Sequence, residues 1–168
     1  MRTALPPAMR ETASQQIGMH VLSWVAQFGI RTLAVYVPIR GEPDLLPTWK
    51  TLSDAGIELA LPVVIAADQP LGFVAWQPGQ VMARDCMGVA IPAYPHRTVA
   101  PQALVIPCLG VTPGGFRLGY GGGFYDRTLA RLAAVKTVGV TFDCGVADFE
   151  VRAHDVALQT TITERGIR

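Results

Sequence analysis

Residues 32–64 read TLAVYVPIRGEPDLLPTWKTLSDAGIELALPVV, and this stretch decides the fold. Thr32–Val37 is an unbroken, largely β-branched and aromatic run, the composition of a buried strand. Pro38 and Gly41 end it. Leu45, Leu46, Trp49 and Leu52 then mark a helix, and Ile57–Val64 is a second apolar strand. A strand, a helix and a strand of these lengths make a right-handed βαβ unit, which sets the two strands parallel.

Working outward, Ile17, Val21, Trp24, Val25 and Phe28 recur at three- and four-residue spacing and predict a helix near residues 10–28. Towards the C-terminus, Leu71–Trp76 and Val89–Ile91 suit short antiparallel strands at a sheet edge. Ala103–Pro107 is a compact apolar strand, followed by a glycine-rich loop and a helix through Phe124, Leu129 and Leu132. Thr137–Phe142 and Thr160–Thr163 are the last expected strands. The expectation is a three-layer α/β/α sandwich with a mostly parallel sheet, in a single domain over residues 1–168. Such sheets bind ligands beyond the carboxyl ends of their strands. The loops Pro38–Asp44 and Leu109–Asp126 both lie at such ends.

Composition narrows the function. Half of the 168 residues are apolar and 16% are charged, which suits a packed globule. A net charge of +1 argues against a broad nucleic-acid surface, and Arg165 and Arg168 read as a solvated tail. No apolar run approaches a membrane span, and the start has no secretion-signal core. Cys86, Cys108 and Cys144 are widely spaced and odd in number, as expected of reduced thiols in the cytoplasm. Without a CxxC pair a structural zinc site is not expected, and the thiols read as buried bystanders.

The segment Phe116-Arg-Leu-Gly-Tyr-Gly-Gly-Gly-Phe-Tyr-Asp-Arg127 carries the chemistry. Gly119, Gly121, Gly122 and Gly123 crowd the start of a helix. Glycine loses more backbone entropy on ordering than other residues, so this density needs a reason. The usual reason is close approach of amide N–H groups and a helix N-terminus to phosphate. Gly122 is expected to need a positive φ angle. Arg117 and Arg127 flank the loop and can add charge-assisted bonds to phosphate oxygens, and Asp126 is a natural Mg²⁺ partner beside them. The Walker pattern fails for want of a lysine. GxGxxG fails because Phe124 takes the third glycine position.

With its preceding strand ending in proline, this loop resembles the signature of the 5-formyltetrahydrofolate cyclo-ligase family, also called methenyltetrahydrofolate synthetases. Val35-Tyr36-Val37 with Gly41-Glu42-Pro43-Asp44 resembles the family's first strand and Glu-containing substrate loop. Leu61–Val64, His154-Asp155 and Thr163-Glu164 extend the match from roughly Arg10 to Glu164. The resemblance implies an ATP- and Mg²⁺-dependent conversion of 5-formyltetrahydrofolate to 5,10-methenyltetrahydrofolate. In it the formyl oxygen attacks the γ-phosphate, N10 adds to the activated carbon and phosphate leaves.

Carried over by position, the resemblance implies that Arg10 and the run Arg117, Leu118, Gly119, Tyr120, Gly121, Gly122, Gly123, Phe124 and Tyr125 bind ATP. Val37, Glu42 and Tyr120–Phe124 would line the folate site, Asp126 and Asp155 would hold Mg²⁺, and Arg117 and Tyr125 would be catalytic. The expected partner is the small-molecule folate alone, with no nucleic acid or membrane, and the chain is expected to act as a monomer. The chain departs from the family at Thr112 and Ile91, each standing where a carboxylate is usual, and Leu45 follows Asp44 in place of Thr. Only Arg2 and Arg10 precede the apolar stripe, where the family spaces basic residues that grip ATP. An N-terminally extended version is therefore expected to bind ATP more tightly. Two alternatives stay open: a non-catalytic folate- or nucleotide-binding relative, and a different ATP-using enzyme on the same scaffold.

Overall fold

The computed structural model describes residues 5–85, 88–94, 96–132, 134–153 and 155–168. It opens with α1 (Pro7–Gln27), β1 (Thr32–Ala34), α2 (Leu46–Asp54), β2 (Glu58–Val63) and β3 (Gly72–Trp76). Then come β4 (Met82–Arg84), β5 (Ala90–Pro92), β6 (Ala103–Pro107), β7 (Gly110–Val111) and β8 (Arg117–Leu118). The chain closes with α3 (Phe124–Arg131), β9 (Lys136–Val140), a 3-10 turn (Asp143–Gly145), β10 (Thr160–Thr163) and β11 (Gly166–Ile167).

Seven strands form one sheet in the order β11-β10-β9-β6-β1-β2-β3. The five inner strands are parallel, and β3 and β11 close the two edges antiparallel. Alternation along the strands separates two apolar layers. Leu33, Val35, Leu59, Leu61, Val105 and Val138 share a cluster with Ile17, Val21 and Trp24 of α1 and Trp49 of α2. Ala34, Ala60, Leu104 and Ile106 point the other way and share a cluster with Leu129 of α3. The three-layer expectation is met, with α1 and α2 on one face and α3 on the other.

Local chemistry explains the helices that flank the site. Pro7 opens α1 at a position where its missing N–H is harmless. Gly29 closes it at φ 59°, and the N–H of Ile30 returns to the carbonyl of Val25. Gly18 of α1 lies so close to Thr48 of α2 that a β-carbon would collide with Thr48 Oγ1. The α1–α2 crossing therefore depends on that glycine. Among the described residues, no helix is long and apolar enough to cross a membrane.

Several elements differ from expectation. The β1 ladder stops at Ala34, although Val35 still donates to the carbonyl of Ala60 at 2.9 Å. Beyond it the chain leaves the sheet as a loop, while Val35 and Tyr36 stay buried. Among the described residues, Ala90–Pro92 pairs with Met82–Arg84 alone, in a separate ribbon off the main sheet. The C-terminus is no free tail: Gly166–Ile167 pairs with β10, and Arg165 and Arg168 both reach Asp143, at 3.0 and 2.9 Å. Sequence reading also missed the short β7–β8 hairpin, because two-residue strands leave no periodicity to detect.

Candidate functional site

The loop after β1 is built around a tight turn. The N–H of Glu42 donates to the carbonyl of Ile39 at 3.0 Å, with Arg40 at φ 49° and Gly41 at φ 77° between them. Two consecutive left-handed residues define a type I′ turn. Beneath it, Tyr36 Oη donates to the carbonyl of Pro43 at 2.7 Å and Trp49 Nε1 donates to the carbonyl of Tyr36 at 2.8 Å. The turn folds Glu42 inward until it is only 6% exposed. Its Oε2 accepts from the N–H of Ile39 at 2.9 Å. Its Oε1 accepts from Tyr120 Oη at 3.0 Å. That second bond joins the two loops expected to bind ligands.

The glycine loop hangs from the β7–β8 hairpin. Gly115 turns the hairpin at φ 82°, where a β-carbon would sit 2.7 Å from the carbonyl oxygen of Leu158. Thr112 serves the same turn, its Oγ1 accepting from the N–H of Phe116 at 3.2 Å. The hydroxyl thus does a backbone-satisfying job that a carboxylate at this position could also do. Ile91 sits half-buried in the β4–β5 ribbon.

Gly121 (φ 85°) and Gly123 (φ 63°) hold the left-handed backbone, whereas Gly122 does not. The expectation of a positive φ at Gly122 is thereby corrected: a side chain there would instead meet the ring of Phe124 at 3.0 Å. Gly123 is the left-handed N-cap of α3 and has no side chain to satisfy the first-turn amides. Those donors are left for solvent or an anion.

Both flanking arginines hydrogen-bond acceptors of the protein itself. Arg117 is almost fully enclosed, its side chain 5% exposed, and its Nη2 lies 2.6 Å from Asp126 Oδ1. Its Nη1 donates to the carbonyl of Val156 at 2.9 Å. Arg127 donates to the carbonyl of Gly122 at 2.9 Å and lies over the Phe124 ring at 4.9 Å. Arg117 braces the loop from within, and the half-buried Arg127 braces it from its surface. Their acceptors are Asp126, the Gly122 carbonyl within the loop and the Val156 and Gln69 carbonyls outside it.

Asp126 is linked to the segment after Asp155 through the backbone of Val156, while the Asp155 carboxylate turns to its own loop. The N–H of Val156 lies 3.4 Å from Asp126 Oδ1, and Asp155 Oδ2 accepts from the N–H of Arg152 at 2.7 Å. Among the described residues, no three His, Cys, Asp or Glu side chains gather as a metal cage. Mg²⁺ commonly takes only one or two carboxylates and completes its shell with phosphate and water. The hydrogen bonds of Asp126 fall on Oδ1, so Oδ2 suits such a metal. His154 and Cys86 lie outside the described residues.

Arg10 sits elsewhere. With Glu11 and Ser14 of α1 it faces Gly41, Glu42 and Asp44 across a cleft of about 390 Å³. It thus borders the Glu42 loop rather than the glycine loop. Val37 packs partly buried against the α1–α2 layer at the root of the same loop.

Tyr125, expected to be catalytic, is half-buried beneath Arg117, whose guanidinium carbon lies 6.0 Å from the ring centre. Burial first, then the Glu42 charge, pushes its phenol well above the usual value, so it stays protonated. It can donate a hydrogen bond but cannot act as a general base. Tyr36 is raised in the same direction, chiefly by burial. Burial pushes the Cys108 thiol from 9.0 up to about 12. The thiol is inert at neutral pH, as expected of a bystander. A raised folded-state value keeps its full stabilisation below pH 9.0 and loses it as pH rises towards 12. Urea midpoints measured between pH 8 and 12 should therefore fall more steeply for the wild type than for Cys108→Ala. Parallel curves would remove Cys108 from the alkaline transition.

Two contributors escaped the sequence reading. Thr128 Oγ1 accepts from the N–H of Leu71 at 2.9 Å and donates to the carbonyl of Phe124, tying the start of α3 to β3. Arg40 lies over the Tyr120 ring at 5.3 Å. Gly41, after the expected strand that Pro38 ends, is a signal in the sequence for a turn here, and Arg40 is not a residue that a type I′ turn favours.

A model of the 5-formyltetrahydrofolate cyclo-ligase family matches residues 1–164. The chain belongs to this family. Membership makes it a ligase-class enzyme by family. The 5-formyltetrahydrofolate cyclo-ligase of Mycolicibacterium smegmatis is 32% identical over 99% of this chain and 90% of its own length. That of Escherichia coli K12 is 30% identical over 96% and 93%. Among solved structures, the 5,10-methenyltetrahydrofolate synthetase of Aquifex aeolicus superposes with a TM-score of 0.82 at 26% identity, over 99% of this chain and 86% of that one. The synthetase of Mycoplasma pneumoniae, at 24% identity and a TM-score of 0.79 over 97% and 92%, shares the cyclo-ligase fold.

Proposed function

We propose that this protein closes the ring of 5-formyltetrahydrofolate to give 5,10-methenyltetrahydrofolate, with ATP as the phosphoryl donor and Mg²⁺ as the metal. The observation that carries the reading is the Tyr120–Glu42 bond, which joins the Glu42 loop to the glycine loop at the carboxyl end of the central strands β1 and β6. Two ligands that must react with each other need two adjacent binding loops.

The chemistry sets the demands. A formyl oxygen is a poor leaving group until it is phosphorylated, after which N10 can add to the carbon and phosphate can depart. Little covalent work is left to the protein beyond positioning and neutralising charge. The amides from Gly121 to the first turn of α3 would bind phosphate oxygens. Asp126 and Asp155 would hold Mg²⁺, which screens phosphoryl charge when bound. Arg117 would orient Asp126 and lend it positive charge nearby. Tyr125 would donate a hydrogen bond as a neutral phenol. Glu42 and Val37 would face the folate, with Arg10 at the cleft mouth. We infer that the protein works in the cytoplasm on a free small molecule.

The test is direct. Pure protein with 5-formyltetrahydrofolate should produce the methenyl chromophore only when ATP and a divalent metal are both present. Equal product with EDTA, or without ATP, would sink the mechanism. One observation favours a second reading, a binding protein without turnover: both arginines beside the loop are engaged internally. Binding of both ligands by calorimetry with no chromophore would establish it.

A further inference from the structure

We propose that Arg40 is a positioning residue that docks the glycine loop onto the Glu42 loop, and so sets affinity for the folate substrate. The inference rests on the cyclo-ligase reading for its substrate, but its geometry stands independently. Arg40 is one of two described non-glycine residues with a positive φ, here 49°. A side chain in that region is unfavourable, and the favoured residues at the first central position of a type I′ turn are Asn, Asp and Gly. Left-handed non-glycine residues persist when the surroundings over-determine them, and they cluster at ligand clamps.

The surroundings explain what holds it. The conformation carries the guanidinium over the Tyr120 ring at 5.3 Å, within the range of a cation–π contact. The same tyrosine gives its hydroxyl proton to Glu42 Oε1 at 3.0 Å. The other oxygen of Glu42 accepts from Ile39, the residue preceding Arg40, at 2.9 Å. Arg40, Tyr120 and Glu42 thus close a ring of contacts that begins and ends in one turn. Tyr120 is nearly half exposed and comes from a loop with glycines on both sides of it. Its own backbone offers little to fix the ring, so the stack supplies the second constraint that aims the hydroxyl at Glu42.

Three variants test this. Arg40→Gly removes the cation and relieves the left-handed strain. Arg40→Met keeps a long apolar stem without charge, and Arg40→Lys keeps a cation. Arg40→Gly should raise the KM for 5-formyltetrahydrofolate about two- to fivefold, as expected for loss of an exposed cation–π contact. Its kcat should stay within about twofold and its Tm should be equal or higher, because glycine takes this φ without strain. Arg40→Met should match that KM, and Arg40→Lys should recover more than half of the loss. A merely structural arginine would give the opposite pattern, a lowered Tm with wild-type KM, and that would overturn the proposal.

Hydrogen exchange on the ligand-free protein separates this failure from failure of the cyclo-ligase reading. Peptides over residues 36–44 and 117–124 should exchange faster in Arg40→Gly and Arg40→Met than in the wild type, with Arg40→Lys close to it. If no variant, wild type included, makes methenyl product while this exchange pattern holds, the substrate assignment is wrong and the docking role stands. If exchange in Arg40→Met equals the wild type, the docking role is wrong whatever the substrate.

Discussion

Asp126→Asn should lower turnover by about two orders of magnitude or more, a loss of roughly 3 kcal/mol of transition-state stabilisation. The amide keeps the shape of the carboxylate but loses its charge. Two physical causes converge. Oδ1 is the partner of an almost fully enclosed Arg117, so the substitution leaves that cation with a neutral acceptor. Oδ2 is the oxygen we assign to Mg²⁺, and a neutral ligand holds the metal less well. The two can be told apart. Loss of a metal ligand raises the Mg²⁺ concentration needed for half-maximal rate, whereas loss of the Arg117 tether alone leaves it unchanged. The weakened ion pair should also cost about 1–3 kcal/mol of folding stability, read from urea unfolding. A wild-type rate at limiting Mg²⁺ would remove Asp126 from the metal site.

Gly121→Val should abolish measurable ATP binding, a fall of at least about a hundredfold in affinity, while the protein stays folded. Gly121 has φ 85°, and a β-carbon there would meet nothing within 4 Å. The protein itself therefore has room for a side chain. What forbids one is the backbone conformation and, on our reading, the phosphate that the neighbouring amides approach. A control isolates the second cause. Gly79, in the turn after β3, has φ 87° and equally open surroundings. Gly79→Val should lose similar folding stability, about 1–2 kcal/mol for a left-handed side chain, yet bind ATP as the wild type does. If calorimetry shows Gly121→Val binding ATP as tightly as Gly79→Val, the glycine loop is a turn and nothing more.

Most of the sheet is legible in the sequence. Ala103–Pro107 and Thr160–Thr163 match their strands residue for residue, because short apolar runs flanked by loops declare themselves through local composition. The apolar periodicity predicts α1 from about residue 10, three residues after its start at Pro7, since Pro7 carries no apolar periodicity. The misjudged elements were those held by partners rather than by pattern. The β4–β5 ribbon, the β7–β8 hairpin and the C-terminal β11 are two or three residues long, and each exists because of the strand opposite it.

The candidate site divides along the same line. The glycine spacing, Glu42 after a buried strand, and the order of the motifs are local in the chain, and they were enough to point to the cyclo-ligase family. What the side chains do is not local. Arg117 carries the same charge in the sequence whether it faces a phosphate or Asp126; only packing brought Asp126 and the Val156 carbonyl within reach. Which glycine carries the left-handed backbone is likewise settled by how the loop enters α3, and it is Gly121 and Gly123 rather than Gly122. Residue type and spacing determine which groups are present and which end of the sheet they occupy, because those follow from backbone periodicity. Which donor meets which acceptor depends on distances between residues as far apart in sequence as Glu42 and Tyr120. Those distances come into being only when β1 and β6 pair and the loops that follow them meet at one end of the sheet.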